Sequence, residues 1–276
     1  MPEGPEIRRA ADGIARALSG RAVERVFFAF DDLKPWEARL GGMMLSSVDT
    51  IGKHMLCRFE DGTRIHTHNQ LYGRWWVTRA GRRPDTGRQL RLALHGADRS
   101  ALLYSASEIE VLLPDQLDRH PRLALLGPDP LHGDVGPQGV AERLLDDRFG
   151  RRRLSGLLLD QRFMAGLGNY LRSEILFTAR LAPSARPVDC DEGQIGRLAR
   201  AILTVTRRSY RTGGVTNSPT VARRLRTAGV ARPGYRFAVF SRAGEPCHRC
   251  GGRVRGGRAG GRRIYDCPGC QPRPGV

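Results

Sequence analysis

Long apolar segments are absent from this sequence of 276 residues, in which no run of eighteen or more apolar residues occurs. Internal repeats, extended low-complexity regions and a basic-then-apolar signal segment are absent as well. The first absence excludes a membrane-spanning helix, and the last leaves no secretory signal. We therefore expect a soluble, cytoplasmic protein without a membrane partner. Since 40% of its residues are hydrophobic, it can bury a core and divide into domains.

Lysine is almost missing, because only Lys34 and Lys53 are lysines among 46 basic residues. Arginine stays protonated, whereas lysine can release and regain a proton when its surroundings shift its pKa. A lysine retained in such a sequence is a candidate for proton transfer. Lys53 precedes a strand-like segment and is the better candidate, since Lys34 lies in an ordinary turn (DDLKPW).

Acidic residues are outnumbered, with 28 against 46 basic residues and a formal net charge of +18. Residues 1–130 carry 19 basic and 17 acidic residues, a net of +2, whereas residues 131–276 carry 27 and 11, a net of +16. We expect the second half to bind a polyanion, nucleic acid first. A basic, solvated surface without a dedicated partner is the alternative.

The first half predicts an all-β domain behind a helix with apolar residues at helical spacing over residues 7–18. Its short segments are rich in Val, Ile, Leu and aromatic residues and alternate with Gly, Asp or Pro turns, which is typical of a β-sandwich. The predicted strands are Ala22–Phe30, Met43–Ile51, His54–Phe59, Arg64–His68, Arg74–Thr78, Gln89–Leu94 and Ala101–Ser105.

The second half has a helical period. Residues 211–233 are basic, contain glycine and lack a clear period, and they predict a long, mobile loop. The predicted helices are Val140–Phe149, Arg153–Leu159, Tyr170–Ala179 and Glu192–Tyr210. We therefore predict an N-terminal domain over 1–126, a Gly- and Pro-rich linker over 127–139, a helical domain over 140–237 and a cysteine module over 238–272.

Four cysteines follow the spacing C-x2-C-x16-C-x2-C. Two such pairs can converge on one metal ion around a β-hairpin, which predicts a single structural zinc ion. Two disulfides or an iron–sulfur cluster are the alternatives. Four thiolates leave no open coordination position, so the ion would stabilise the fold. The predicted ligands are Cys247, Cys250, Cys267 and Cys270, whereas Cys57 and Cys190 are expected to be plain apolar residues.

A glycine-rich turn, QRFMAGLGNYLRSEILF, leads through Asn169 into a helix expected to start near Tyr170. Helix N-termini carry unpaired N–H groups and a partial positive charge, and they bind phosphate well. Asn169 is a candidate both for the N-cap of this helix and for a DNA contact, and the two roles are compatible.

Five segments, in order, resemble the formamidopyrimidine-DNA glycosylase/endonuclease VIII family. They are PEGPEIRRAAD near the start, GK at 52–53, HNQLYG at 68–73, LLLDQRFMAGLGNYLRSEIL at 157–176 and the two cysteine pairs with YDCPGCQ. PEGPEI and NQLYG look like the endonuclease VIII branch. The resemblance implies an α+β multidomain fold. Its parts are an N-terminal catalytic β-sandwich with a leading helix, a helix-two-turn-helix DNA-binding domain and a four-Cys zinc β-hairpin finger.

The same resemblance implies a bifunctional base-excision enzyme. Such an enzyme removes oxidised bases, chiefly pyrimidines, from damaged double-stranded DNA and then cuts the strand. It implies one structural zinc ion, no small-molecule cofactor, a monomer, and a bacterial-type protein that associates with the nucleoid through DNA. Two alternatives stay open: the same chemistry on oxidised purines or formamidopyrimidines, and a non-catalytic zinc-containing DNA-binding protein.

The catalytic residues are carried over from the family motif. Pro2 would be the nucleophile once Met1 is removed, because a secondary amine with a pKa near about 8 is partly neutral at physiological pH. Its Schiff base with the sugar would permit β,δ-elimination. Glu3 would shuttle protons, and Lys53 would act as an acid and base near the sugar and phosphate. Glu6 matches a further carboxylate of the motif, or else is a helix-start charge.

The resemblance also implies the DNA contacts. Gln70, Leu71 and Tyr72 match the wedge that fills the gap left by a flipped-out base. Arg262 matches an arginine associated with phosphate binding and the final elimination, and Arg263 is its alternative by one position.

Two segments depart from the family pattern. The position of an arginine that reaches the opposite strand holds Leu125, so that contact is lost or moves to Arg122. Residues 211–233 are longer and more basic than the usual endonuclease VIII loop, which leaves the substrate preference open.

Overall fold

The computed structural model describes residues 2–272, and the chain forms two compact units that divide between Leu125 and Leu126. The helices and strands of the first unit are α1 (Gly4–Leu18), β1 (Arg21–Ala22), β2 (Arg25–Phe28), α2 (Pro35–Leu40), β3 (Met44–Ile51), β4 (His54–Phe59), β5 (Arg64–His68), β6 (Arg74–Arg79), β7 (Leu90–His95), β8 (Arg99–Tyr104) and β9 (Glu108–Leu112). Among the described residues, no helix is both long and apolar enough to span a membrane.

The first unit is a β-sandwich whose two sheets are antiparallel. One sheet has the strand order β1-β3-β4-β5-β9 and the other has β2-β7-β8-β6. Strands β4 and β5 start and end as predicted, while the segment predicted over Ala22–Phe30 is divided into β1 and β2. Strand β9, which carries Glu108 and Glu110, was not predicted from the sequence.

Helix α1 closes the sandwich core. Its apolar face comprises Ile7, Ala11, Ile14 and Leu18, which are all buried. The helix contacts β3 and β4 of one sheet and β6 and β8 of the other. The first turn of α1 is therefore fixed by packing, although it lies next to a chain terminus, where chains commonly fray.

The second unit is mainly helical. Its helices and strands are α3 (Pro137–Leu145), α4 (Asp147–Gly150), α5 (Leu154–Leu157), α6 (Asn169–Ala179), α7 (Glu192–Thr212), α8 (Pro219–Thr227), α9 (Arg232–Arg236), β10 (Arg255–Ala259) and β11 (Arg262–Asp266). The helix predicted over Val140–Phe149 is broken at Asp146, whose backbone is not helical and whose carboxylate accepts a hydrogen bond from the Arg148 N–H (2.9 Å). Asp146 therefore starts a new helix.

The loop assignment predicted for residues 211–233 is wrong, because much of this segment is helical. This segment contains α8 and the start of α9. Ser218 caps α8, because its hydroxyl accepts a hydrogen bond from the Val221 N–H (3.3 Å). The helix buries none of its residues, and its apolar stripe is short, since only Val221, Ala222 and Leu225 are partly buried.

A buried carboxylate attaches the segment after α9 to helix α6. Glu174 of α6 accepts hydrogen bonds from the N–H groups of Ala238, Val239 and Phe240 at 2.8 to 2.9 Å. The Thr216 hydroxyl donates a further one (2.6 Å). Since an unpartnered buried polar group is costly, these four donors offset the burial of the Glu174 side chain.

Strands β10 and β11 form the hairpin between the two cysteine pairs. Ala259 and Arg262 are paired, and Gly260 and Gly261 both have positive φ, at 59° and 74°. A two-residue turn of this kind requires φ > 0 at both positions, which glycine adopts without strain. The glycines therefore set the register of the hairpin.

Candidate active site and nucleic-acid interface

The N-terminus of α1 places Pro2 and Glu3 in a defined position. Glu3 is the N-cap, and its carbonyl accepts hydrogen bonds from the N–H groups of Glu6 (3.0 Å) and Ile7 (3.2 Å). Glu3 is only 2% exposed, whereas Pro2 is partly exposed. A nitrogen at residue 2 thus stands directly in front of a helix N-terminus, whose partial positive charge disfavours an added proton.

Glu6 has a structural part in this cap. Its Oε2 accepts a hydrogen bond from the Glu3 N–H at 3.0 Å, which completes one half of a capping box. This contact accounts for a helix-start role of Glu6, and its match to a carboxylate of the family motif stays a prediction.

Lys53 lies in the tight turn between β3 and β4, where Gly52 has φ 61°. The next residue along the chain, His54, is opposite His68 in the pairing of β4 with β5. Burial lowers the pKa of His68, Glu108 opposes this effect, and the charge of Lys53 adds to the lowering. The charge of Lys53 therefore acts on His68, the first residue of the HNQLYG segment.

A row of neutral histidines lies beneath this turn and loop. The rings of His54 and His68 stack with centroids 4.7 Å apart, and His54 Nδ1 lies 2.9 Å from His66 Nε2. Burial lowers the pKa of His54 to about 3, with smaller contributions from His68 and His66. Burial also lowers the pKa of His66. The sequence does contain a signal for this cluster, since three histidines occur within fifteen residues. The signal was missed because these histidines lie in segments that were interpreted only as alternating β-strands.

His66, Glu110 and His120 lie close enough together to resemble a metal-ligand set. The hydrogen bonds argue against this function. His120 Nδ1 accepts from the N–H groups of Arg122 (3.3 Å) and Leu123 (3.2 Å), so Nε2 carries the proton and donates to Glu110 Oε2 (2.8 Å). A metal ion needs that nitrogen deprotonated. The cluster is therefore a hydrogen-bonded network.

The loop predicted to be the wedge connects β5 in one sheet to β6 in the other. Leu71 and Tyr72 are 55% and 69% exposed. A Cβ at Gly73 would lie 2.6 Å from the Asn69 backbone, so this loop can close only with glycine. The loop thus presents an aliphatic and an aromatic side chain on a tight, fixed turn.

Arg122 is engaged within its own unit. Its guanidinium forms ion pairs with Glu108 and Glu110. Leu125, at the position of the missing family arginine, is 53% exposed at the end of a short 3-10 turn. A contact of Arg122 with DNA stays a prediction, and it would compete with these carboxylates.

In the second unit, Asn169 is the first residue of α6 and Gly168 is the N-cap. The Asn169 side chain does not cap the helix, because its Oδ1 accepts a hydrogen bond from Arg172 Nη2 (2.7 Å). The Gln161 side chain holds the preceding turn through the Gly166 N–H (3.0 Å) and the Leu167 carbonyl (2.9 Å).

Arg172 is a residue that the sequence analysis missed. It is fully buried and donates to the Ser155 carbonyl (2.8 Å) and the Arg263 carbonyl (2.8 Å) as well as to Asn169. Because Arg172 takes the amide oxygen of Asn169, the amide nitrogen faces away from it and can donate to an anion. Arg172 also fixes β11 against α6. A charged residue within the mostly apolar helix α6 was the sequence signal that could have identified Arg172.

The four predicted metal-binding cysteines do converge. Their sulfur atoms all lie within 4.8 Å of one another, with Cys247 and Cys270 at 3.9 Å and Cys250 and Cys267 at 3.4 Å. A tetrahedral ion with bonds of about 2.3 Å requires sulfur separations of about 3.8 Å. The geometry and the donor set therefore fit one metal ion. The exposed side chains of Arg262 and Arg263 lie on the adjoining hairpin.

Two family models match this chain. The formamidopyrimidine-DNA glycosylase N-terminal domain matches residues 1–107, and the formamidopyrimidine-DNA glycosylase H2TH domain matches residues 126–220. Endonuclease 8 of Pectobacterium atrosepticum is 48% identical over 271 residues, which cover 98% of this chain and 100% of the relative. The chain belongs to the formamidopyrimidine-DNA glycosylase/endonuclease VIII family. An endonuclease 8 of Escherichia coli is 46% identical over the same shares of the two chains.

Solved structures in this family share the fold. A Lactococcus lactis formamidopyrimidine-DNA glycosylase in complex with DNA containing an oxidised pyrimidine has a TM-score of 0.80 and 20% identity, and covers 99% of this chain and 100% of its own. The same enzyme with DNA containing an abasic site has a TM-score of 0.80. The N-terminal β-sandwich, the H2TH helical domain and the four-cysteine hairpin are thereby confirmed as an Fpg-like fold.

We expect the first unit to lose stability as the pH falls below about 6.5, the pKa of an unfolded histidine. Because the folded pKa of His54 is about 3, the unfolded chain binds a proton that the folded protein excludes. Between these values the free energy of unfolding should fall by about 1.4 kcal/mol per pH unit for this residue. Urea titrations at several pH values measure the slope. His54→Phe should reduce this slope by the same amount of about 1.4 kcal/mol per pH unit. An unchanged slope would contradict the lowered pKa of His54.

Proposed function

We propose that this protein excises oxidised pyrimidines from duplex DNA and cuts the strand at the same site, with the amine of Pro2 as the nucleophile. The protein is a DNA glycosylase/AP lyase of base excision repair, as its family membership establishes. The observation that carries the proposal is the position of Pro2, which directly precedes the buried Glu3 at a fixed helix N-terminus. Met1, whose removal the chemistry requires, lies outside the described residues.

The proposed reaction begins when the neutral Pro2 nitrogen attacks C1′ of the deoxyribose. The bond from C1′ to the base breaks, the base leaves with a proton, and the sugar opens to an iminium ion. Glu3 would move the protons of base loss and ring opening, since it is a carboxylate adjacent to the nucleophile. The iminium ion acidifies the proton on C2′. Loss of this proton forms a C2′–C3′ double bond and breaks the C3′–O bond. A second elimination breaks the C5′–O bond.

Electrostatics supports the nucleophile. The α1 dipole opposes protonation of a nitrogen at its N-terminus, which favours the neutral amine. Lys53, the candidate acid and base, neighbours a row of neutral histidines whose pKa values are lowered by burial. Because their pKa values are lowered, these histidines carry no positive charge at physiological pH. Lys53 therefore supplies the positive charge that a phosphate would meet at this turn.

DNA binding would use both units. In the first, Leu71 and Tyr72 would fill the space left by the flipped base, at an unstacking cost of a few kcal/mol. In the second, the Asn169 amide, the N–H groups at the start of α6 and the side chains of Arg262 or Arg263 would contact phosphates. A duplex substrate would also locate the protein at the nucleoid. We keep the sequence-based expectation of a monomer.

The cysteine cluster would hold one zinc ion, with Cys247, Cys250, Cys267 and Cys270 as ligands. When bound, the ion would serve as a structural crosslink without catalytic function, because four thiolates occupy a tetrahedral coordination shell. The residues around it would keep the hairpin in place: the Arg263 carbonyl accepts from Arg172, and the Tyr265 N–H donates to the Ser173 hydroxyl (3.3 Å).

Borohydride should trap a covalent adduct between the protein and a duplex that contains thymine glycol, and mass spectrometry should locate the linkage at Pro2. An N-terminal tag converts the Pro2 nitrogen into a peptide amide, so the tagged protein should lose the adduct while the same tag at the C-terminus leaves it. Lesion panels with oxidised purines test the substrate preference. No adduct with any lesion or abasic site, or a linkage to another residue, would refute the proposed mechanism.

Lys53→Gln should lower base excision by at least about 100-fold, because it removes the proton-transfer group while leaving side-chain length similar. Lys34→Gln is the matched control, since Lys34 is the other lysine of the chain and pairs with Glu37 (2.9 Å) in a turn. Single-turnover excision assays measure both variants. Equal rates for the two would exclude a catalytic role for Lys53.

Zinc should be present at one ion per chain, and its removal should weaken DNA binding because the hairpin loses its crosslink. Cys250→Ser should release the metal, as measured by a colorimetric zinc assay. Cys190→Ser, at a cysteine outside the cluster, should retain it. Full zinc retention by Cys250→Ser would show that the four sulfur atoms do not form the site.

A further inference from the structure

Two connections between the sheets contact each other. One is the wedge loop, which comprises Asn69–Gly73 and joins β5 to β6. The other connection runs from β8 to β9 and includes Ser107. The Ser107 hydroxyl donates to Gln70 Oε1 (2.7 Å), and Gln70 Nε2 donates to Glu108 Oε2 (3.2 Å). Both polar atoms of the Gln70 amide are thus bound by adjacent residues at the start of β9.

Glu108 is itself held on two sides. It pairs with His68 in the register of β5 and β9, and its Oε2 lies 3.3 Å from His68 Nδ1. Its Oε1 forms an ion pair with Arg122, and the Glu108 side chain is only 9% exposed. Arg122 also reaches Glu110 Oε1 at 3.5 Å. Because the Glu108 carboxylate is nearly buried, loss of Arg122, whose own side chain is 55% exposed, would leave it a poorly solvated charge. We call this paired carboxylate the anchor of the loop.

The anchor acts on a backbone that needs one. Gln70 has φ 48°, in the left-handed region that residues other than glycine adopt at a cost. The next two side chains, Leu71 and Tyr72, are exposed and would otherwise gain conformational freedom in solution. Arg88 adds a second support through a hydrogen bond to the Tyr72 carbonyl (2.6 Å).

We propose that Ser107, Glu108 and Arg122 are positioning residues that hold the wedge loop, before DNA arrives, in the conformation that enters the base stack. They act through the Gln70 amide, and Leu71 and Tyr72 are the side chains that enter. This inference rests on the proposed function and assigns Arg122 to the support of the loop. A loop ordered in advance does not lose that entropy on binding, so each support contributes to the rate on duplex DNA.

The inference has a specific consequence for substrates. A flipped base in a duplex leaves a gap and an unpaired partner that the wedge must fill, whereas an abasic site in a single strand leaves neither. Loss of the anchor should therefore slow the reaction on duplex DNA and spare the reaction on single-stranded DNA. A general defect in folding or chemistry would slow both equally.

The experiment compares Glu108→Ala with Glu110→Ala on two substrates, a duplex with an abasic site and a single-stranded oligonucleotide with the same abasic site. Glu110 is the matched control, since it lies on the same strand and pairs with Arg122 and His120, whereas within residues 2–272 the Gln70 amide is bound by Glu108 and Ser107. Glu108→Ala should lower kcat/KM on the duplex by at least about tenfold and change it less than about twofold on the single strand. Glu110→Ala should show no such split.

Two further measurements keep the test decisive if Glu108→Ala folds poorly. Ser107→Ala removes one hydrogen bond at an exposed position and should give a smaller split of the same kind. In a double-mutant cycle, Gln70→Ala should abolish the additional effect of Glu108→Ala, because the two act through one contact. A 2-aminopurine base beside the lesion should report reduced unstacking with the Glu108 and Ser107 variants.

Equal losses on both substrates, additive effects in the cycle or the same split for Glu110→Ala would overturn the positioning role. These outcomes differ from failure of the proposed function. In that case the wild-type protein forms no trapped adduct on either substrate, whereas an active wild type with an unaltered Glu108→Ala variant refutes the inference alone.

Discussion

Burial of the apolar face of α1 is the contact on which the proposed catalytic site depends. Ile7, Ala11, Ile14 and Leu18 pack between strands of both sheets, and the three larger side chains among them each contribute roughly 1.5–3 kcal/mol when removed from water. A chain terminus ordinarily frays because few contacts hold it. Here the contacts begin within a few residues of Pro2, so a main-chain nitrogen can serve as a positioned reactive group.

Buried polar side chains provide a second level of order in both units. Arg172 binds carbonyl groups of two other segments together with the Asn169 amide, and Glu174 binds three consecutive N–H groups after α9. Glu108 holds the Gln70 amide in the same manner. A loop has no regular ladder of backbone hydrogen bonds. In each case a charged side chain with several hydrogen-bond sites supplies hydrogen bonds in its place. The functional loops are therefore ordered without being part of a helix or sheet.

Charge is used differently in the two units. The first unit pairs its charges locally, as in the contacts of Arg122 with Glu108 and Glu110. Burial lowers the pKa values of His54, His66 and His68. The excess positive charge falls in residues 131–276 and includes the exposed helix α8, with Arg223, Arg224 and Arg226. Such a division suits a protein in which one unit carries the chemistry and the other supplies much of the long-range attraction to a polyanion.

Local patterns were sufficient for several features. The cysteine spacing predicted the convergence of four sulfur atoms, alternating apolar residues predicted β4 and β5 at their observed bounds, and the Gly-Asn turn predicted the start of α6 within one residue. These features depend on short-range geometry, which is encoded in neighbouring residues. The missed strand β9 is short, and its assignment depends on its pairing with β5, a long-range contact.

The remaining features required the tertiary structure, because they arise from residues far apart in sequence. Nothing near Asn169 shows that its amide oxygen is taken by Arg172, or that Arg172 also reaches Arg263. Likewise, Gln70 meets Ser107 and Glu108 only because two connections cross between the sheets at the same place. Sequence alone was enough to identify the family and to predict the four converging cysteines and the candidate reactive groups. The orientation of those groups was decided by packing and by hydrogen bonds between distant segments, which no local pattern contains.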